Sequence, residues 1–592
     1  MADTGDKLTR KYNNFRGVDF RGEECSINRS PDALNVWRNY KKLASIETRP
    51  ALAHFHAHTK GIRAMKWHKN EDTYKLYFLD EDGDLHAWIR DGVTEDGVID
   101  CGENAILFEF GGELYAKGTK RYCNVTKGKD IKHNEKEDDG NIEPRIPMTS
   151  IGRKPTSGAA AGGTIYEDVN MLSDYRINTF LGDGKGEVLW LDTIGIDTEF
   201  EPKITINDVL YGGEIKVDYT NGKIALPNHT PPEPDTPGRD NVSVLFKKAV
   251  AGNKDKIMNC TMAQEFDNRM FFSGNPEYPS TIWHCSLNDP SYFSDLDYYV
   301  DGADQSSIRG MVAGNNGLWV FRDAPYNSVF YHQPALDEDY GKIYPSSHSS
   351  IAIGCVGRAV NFNDDIVFFS QRGMESASTD VTTEQFATHR SSLVDRMMLT
   401  NTQKYKDMVL AEWEGYLFVF LGSDVYLADS RAVLSSENHI EYEWFHWDLG
   451  EKVVVTCATV HDGDLYIGTE DGHIYSLARK AEEGDELSAG EATPIESYWT
   501  TPKDTFGAPN KLKTTNKKGC VVEAIGDVAV YVKTDDDAAY ELIGTNEGIE
   551  DYFVSRIKRK KWKDIQLKFE SKTSFSLEAA TLEAFIGGYI KR

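Results

Sequence analysis

Asp462–Leu477 reads DGDLYIGTEDGHIYSL. In an extended chain Leu465 and Ile467 point to one side and Tyr466 to the other; after Glu470-Asp471-Gly472, Tyr475 and Leu477 share a side and Ile474 takes the opposite one. Alternation with a period of two is the mark of β-strands. Gly472 supplies the positive φ that a tight corner needs. The stretch is predicted to be an antiparallel hairpin, with Glu470 and Asp471 as turn residues rather than catalytic carboxylates.

Related hairpins recur along the chain. They include TYKLYFL and LHAWI around Asp80–Asp84, AILFEF and ELYA around Gly111-Gly112, and NRMFFS (268–273) followed by STIWHC (280–285). Further on come IRGMV, GLWVF and SVFY between 308 and 331, DIVFFS and GMES between 365 and 376, and GYLFVF and DVYL between 415 and 427. A repeat of roughly 40–60 residues suits a four-stranded blade, and blades stacked radially leave no long free edge. The expected fold is all-β, a β-propeller, with stacked sandwiches as the alternative.

Two stretches interrupt the series. Residues 124–164 are rich in charge, Gly, Pro and Ser and read as an exposed connector. Six short strands follow between 177 and 246, with a hairpin at Asn221-Gly222 and a Pro-rich loop over 227–237. They predict a small inserted β-sandwich. Beyond the charged run at 480–486, strands near 495–501, 519–524, 528–533 and 565–577 predict a β-sandwich or a closing blade. The first fifty residues read as an extended arm, with a helix entry at Ser30-Pro31-Asp32 and a stop at Pro50. The expected division is an arm (1–50), first blades (51–125), connector plus inserted sandwich (126–255), remaining blades (256–480) and a C-terminal β-rich domain (481–592).

Composition narrows the function. A net charge of −28 argues against a surface that grips nucleic acid, which needs clustered Lys and Arg. A wall of like charge would instead let DNA slide past. No apolar run approaches the ~18 residues of a membrane helix and MADTGDKLTRKYNN has no signal-peptide core, so synthesis in a cytoplasm is expected, with no membrane embedding. Eight scattered cysteines without a CxxC pair read as reduced core thiols. Walker, GxSxG, HExxH and EF-hand patterns are absent, and the expectation is a protein that is not an enzyme and carries no cofactor or catalytic metal.

Four features stand out against that background. His54, His56 and His58 alternate, and one metal could bridge them only from a curved strand; they read as partly exposed or interface histidines. RIKRKKWK (556–563) gathers Arg556, Lys558, Arg559, Lys560, Lys561 and Lys563 around Trp562. It suits DNA contact with Trp562 stacking, docking on an acidic partner, or a Lys-guarded sheet edge. Carboxylates at 80–84 and 535–537 read as turn residues, a calcium site being the alternative. Arg16, Arg21, Arg29, Arg38 and Arg49 either bind phosphate or anchor loops through carboxylates.

FRGVDF (15–20), SPDA (30–33), Asn35 and ETRP (47–50) together resemble the opening of phage tail hub or tail nozzle proteins. NRMFFSGNP (268–276), Trp283, LNDP (287–290), Tyr292-Phe293, IGCV (353–356) and DDIVFFSQRG (364–373) continue the likeness in order. The resemblance implies a β-propeller virion protein in a ring, expected to be hexameric, beneath the portal and its adaptor and above other tail proteins. Such a ring retains packaged DNA and conducts it at ejection, and the chain would lie in the virion tail after assembly in the host cytoplasm. Phe15, Arg16, Asp19, Phe20, Arg29, Asp32, Trp37 and Arg49 are then the expected assembly and adaptor contacts. Removal of residues 1–50 is expected to leave a folded monomer that cannot assemble. The alternative is a receptor- or glycan-binding propeller at the tail tip, with Trp444, Phe445 and Trp447 stacking on sugars. A propeller hydrolase with axial carboxylates is a third class, for which no acid, base and nucleophile gather in the sequence.

Overall fold

A computed structural model of the chain describes residues 7–589 apart from 39, 41–44, 71–72, 90–93, 127–139, 152–167, 183–187, 228–238, 304, 327, 339–340, 349–352, 380–384, 437–438, 536, 548–551 and 558–560. Much of the connector and of the Pro-rich loop, and Lys558, Arg559 and Lys560, lie outside the described residues. The protein is all-β, with only short helical segments such as Asn253–Met258 and Asp395–Met398. It divides into two compact units, one of residues 1–81, 86–94 and 309–592 and one of residues 82–85 and 95–308.

The first unit contains antiparallel meanders in which each strand bonds to the next. Cys355–Phe362, Asp365–Ser370, Gly373–Thr379 and Gln385–His389 make one, and Val409–Trp413, Tyr416–Leu421, Asp424–Ser436 and His439–Asp448 another. The hairpin of Asp464–Thr469 with His473–Arg479 lies between Val455–His461 and the distant strand Ala51–Ala57. The corner between the first two strands is a pair of left-handed residues each time: Asn315-Asn316, Asn363-Asp364, Glu414-Gly415 and Asp462-Gly463. Two consecutive positive φ values form the turn whose twist matches paired strands, and Asn, Asp and Gly tolerate it best. The pair recurs at intervals of about 50 residues, so the meander period is written in the turns.

A ten-stranded sheet completes this unit. Its path runs Ala33–Leu34, Ser497–Thr500, Ile565–Ser571, Lys511–Thr534, Phe575–Tyr589, Ile46–Thr48 and Val36–Arg38, and Lys7–Tyr12 pairs along Phe575–Tyr589. The two ends of the path, Ala33–Leu34 and Val36–Arg38, are separated in the chain by Asn35 alone, so the sheet curls round until its edges nearly meet. Trp499, Val522, Val530, Leu567, Phe569, Leu577 and Leu582 fill its core.

The N-terminal segment is therefore a structural part of the first unit and not a free arm. Asn35 sits at φ +53 and is 5% exposed. Its Nδ2 donates to the Glu496 carbonyl at 2.9 Å, while Oδ1 accepts from the Asp448 N–H at 2.9 Å and from Arg49 Nε at 3.2 Å. Arg49 grips Asp485 with two bonds of 2.9 and 2.6 Å, and Asp485 also accepts the Leu52 N–H at 2.8 Å.

The second unit holds a meander of Met262–Phe266, Arg269–Ser273, Thr281–His284 and Tyr298–Val300, cornered by Asp267-Asn268, and a three-stranded sheet from Ile106–Phe110 to Tyr122–Asn124. Phe108, Tyr115, Tyr122, Phe272, Trp283 and Phe293 form one aromatic core. Lys117 is buried in this unit and its Nζ donates to the carbonyls of Ile257, Met258 and Cys260 at 3.1, 3.0 and 2.7 Å, capping the end of the Asn253–Met258 helix. Burial pushes its amine down to about 8. A five-stranded and a three-stranded sheet between 148 and 247 share a separate core of Phe180, Leu189, Ile204, Ile224, Val244 and Phe246.

Breaking a buried pair from one side strands the other charge, at a cost of about 3–5 kcal/mol. Arg49→Ala should therefore lower the unfolding midpoint sharply, far more than Lys7→Ala, an exposed residue whose partner Glu583 is only partly buried. Removal of residues 1–50 should expose the Lys511–Thr534 and Phe575–Tyr589 strands to hydrogen exchange, in place of leaving the folded monomer expected of an appended arm.

Candidate metal centre

The Thr469–His473 corner does more than reverse the chain. Gly472, at φ +90, accepts the His58 N–H at 2.8 Å through its carbonyl, and a Cβ there would lie 2.4 Å from the His58 carbonyl oxygen. Across the same contact, a Cβ on Gly61 would meet the Glu470 carbonyl at 2.4 Å. The two backbones can approach this closely only because both positions are glycine. The approach fixes His58 just past the end of Ala51–Ala57.

His58 faces Asp80, the last residue of Thr73–Asp80, and His86 on Asp84–Ile89. Asp80 is 1% exposed, and its Oδ2 lies 3.2 Å from His86 Nε2, 3.5 Å from His58 Nε2 and 3.5 Å from Lys60 Nζ. The donor atoms of His58, Asp80 and His86 all lie within 4.8 Å of one another. Phe78 stacks on His86 at 5.0 Å and meets His58 edge-on at 5.4 Å, so one aromatic wall orients both imidazoles. Two neutral imidazoles and a carboxylate are a donor set that divalent transition metals accept.

The other two histidines of the run go elsewhere. His54 Nε2 lies 3.2 Å from His473 Nδ1, and the His56 ring rests 5.9 Å from Phe78. A register irregularity where Ala51–Ala57 pairs with His473–Arg479 breaks the regular alternation that the sequence implies. Asp80, read from the sequence with 80–84 as a turn residue or part of a calcium site, is a buried strand-end carboxylate, and His86 is not singled out by sequence. The available signal was a carboxylate ending an apolar strand with a histidine six residues on.

The expected contact residues serve inside the chain. Phe15 is 2% exposed against Trp499, and Phe20 packs edge-on to His446. Arg29 makes a two-pronged bond to the wholly buried Glu443 at 2.9 and 3.0 Å, with Arg16 3.6 Å away on the same carboxylate. Asp19 binds Arg21, Asp32 accepts from the Tyr498 hydroxyl and Trp37 stacks on Trp413. For Arg29 and Arg49 the carboxylate-anchor reading is the one observed, because a buried guanidinium needs a fork of acceptors, and the exposed Arg21 also forks onto Asp19.

In the basic run Arg556, Lys561 and Lys563 are exposed, but Trp562 is fully buried, donates to Thr515 Oγ1 at 2.8 Å and cannot stack on a base. Trp444, Phe445 and Trp447 are fully buried as well, which removes them as a sugar platform.

A third cluster has the residue types of hydrolytic chemistry without the connectivity. Ser391 donates to Asp395 at 2.7 Å and not to His389. His389 instead spans Asp395 at 2.6 Å and Glu375 at 3.0 Å, which require protons on both ring nitrogens. Hydrogen bonds to these two carboxylates, Asp395 first, raise its pKa to about 9.

No family model matches the chain and no curated protein matches it. Solved structures with some likeness include the computationally designed Ika8 protein, at TM-score 0.32 and 11% identity over 72% of this chain and 99% of that one. BamB from Moraxella catarrhalis gives 0.32 and 10%, over 75% and 93%, and Raptor from Chaetomium thermophilum gives 0.34 and 8%, over 72% and 29%. Likenesses at these TM-scores carry no argument about architecture or function.

A histidine whose pKa is raised on folding stabilises fully below its unfolded value near 6.5, and that contribution is lost as pH rises through about 9. His389→Gln should thus destabilise the protein markedly at pH 6 and only slightly at pH 10. Thermal unfolding of both proteins at the two pH values measures the difference.

Proposed function

We propose that the chain is a virion structural protein, a subunit of a ring-shaped phage tail hub or nozzle that extends the portal channel, retains packaged DNA and conducts it during ejection. In this reading the meanders are blades of a β-propeller and the two-sheet module between 148 and 247 is an inserted sandwich. The partners are further copies of the chain, six to a ring, with a portal adaptor on one side and other tail proteins on the other.

One observation carries the reading. The residues on which the tail-hub resemblance rests are framework residues here: Asn35 and Arg49 secure the curled sheet, and Ser30 bonds the backbone of Asp32. In the second unit Asn268 forms a left-handed corner, Asn275 caps the Asn253–Met258 helix through the Lys256 carbonyl at 2.9 Å, and Phe293 stacks on Phe272. A likeness that includes these framework positions, beside exposed residues such as Leu287 and Arg372, is what a shared architecture would leave behind. The net charge of −28 is compatible with a channel that passes DNA without holding it. The tail-tip alternative loses its proposed sugar-stacking aromatics, all three of which are core residues.

The purified protein should give a closed ring of six copies by native mass spectrometry, and low-resolution imaging of the particle should locate it around the DNA path next to the portal. A persistent monomer found on the outer tip of the tail, or a channel lining that is basic in the ring, would overturn the proposal.

A further inference from the structure

We infer that His58, Asp80 and His86 bind one divalent transition-metal ion, zinc being the expected occupant, and that the ion ties the end of Ala51–Ala57 to the Thr73–Ile89 hairpin. The inference stands apart from the ring reading and uses residues of the first unit only.

Distances carry the argument. A hydrogen bond from an imidazole to a carboxylate closes to about 2.7–2.9 Å. Both imidazoles stop short of that: their Nε2 atoms stand 3.2 and 3.5 Å from the same Asp80 oxygen. Ligand atoms around a tetrahedral zinc ion with bonds of about 2.0–2.1 Å are separated by about 3.3–3.4 Å. The two distances to Asp80 bracket that separation, and the donor atoms of all three residues lie within 4.8 Å of one another, close enough for one ion to draw them together.

Burial points the same way. Among the described residues, His58 Nε2 is shielded from solvent and has no hydrogen-bond partner. A buried polar atom left in that state is costly, and a bond to a cation would satisfy it. The backbone contact between Gly472 and His58, together with the Phe78 wall, holds the imidazoles in place before any ion arrives. Three protein ligands leave a fourth tetrahedral position for water or another donor.

One rival for Asp80 is Lys60, whose amine stands 3.5 Å from the same oxygen while its side chain is 36% exposed. A cation in the site would displace that amine toward solvent. Lys60→Met therefore separates the two accounts. If the group binds zinc, the variant should bind it more tightly; if it is only an ion-pair cluster, the variant gains nothing.

The test uses the full-length protein, stripped with a chelator and titrated with Zn²⁺ alone by calorimetry, with bound metal counted by elemental analysis. One zinc per chain and a higher thermal midpoint are expected. Weakening by about 100-fold or more is expected in His86→Gln, and tighter binding in Lys60→Met. Co²⁺ in place of zinc should show the intense visible absorption of a tetrahedral site, lost in His86→Gln. Circular dichroism of each metal-free variant establishes that it is folded. Absence of stoichiometric zinc in the folded wild type, zinc retained in a folded His58→Gln/His86→Gln double variant, or no gain in Lys60→Met would overturn the inference.

Discussion

The buried bond between Arg49 and Asp485 joins parts of the chain more than 400 residues apart, and much of the first unit is arranged around it. Arg49 holds the side chain of Asn35, and Asn35 holds the backbone at Asp448 and Glu496. Through these few atoms the last long strand of one meander, the entry to the C-terminal sheet and the two edges of that sheet converge. A guanidinium is suited to the place because it presents several donors in a rigid fork and stays charged when buried. The bond is also a liability, since neither partner tolerates loss of the other.

What was legible in the sequence follows from the range of the interactions involved. Each meander is local: alternation sets its strands, and pairs such as Asn363-Asp364 or Asp462-Gly463 set its corners, so both can be read a few residues at a time. The ten-stranded sheet is not local. Ala33–Leu34 and Ile46–Thr48 are too short to register as strands, and their partners lie at the other end of the chain. Their polarity suggested an arm, yet Arg29 and Arg49 are polar because they are charged partners within a core, not because they face solvent.

The metal-type cluster was hidden for a related reason. Alternating histidines invite the thought that all three act together, but His54 turns to His473, while of the two rings packed on Phe78 only that of His58 reaches Asp80. Asp80 was masked by its company, because Asp80–Asp84 has the composition of an ordinary acidic turn. Only the packing of Ala51–Ala57 near the Thr73–Ile89 hairpin distinguishes one buried carboxylate from its exposed neighbours. The Gly472 corner, legible as a turn, could not be recognised as the support for His58.

The pairing of the first strands with the last sets a schedule for biosynthesis. Lys7–Tyr12 and Ile46–Thr48 leave the ribosome more than 500 residues before Phe575–Tyr589, on which both are hydrogen-bonded. At about 5–20 residues per second the interval is roughly half a minute to two minutes. During it the meanders can fold one after another, and Arg29, Trp37 and Arg49 can find their partners Glu443, Trp413 and Asp485, while Lys7–Tyr12 and Ile46–Thr48 wait for theirs. Closure of the curled sheet thus waits for Phe575–Tyr589, and loss of that strand removes the partner of Lys7–Tyr12 and Ile46–Thr48 together.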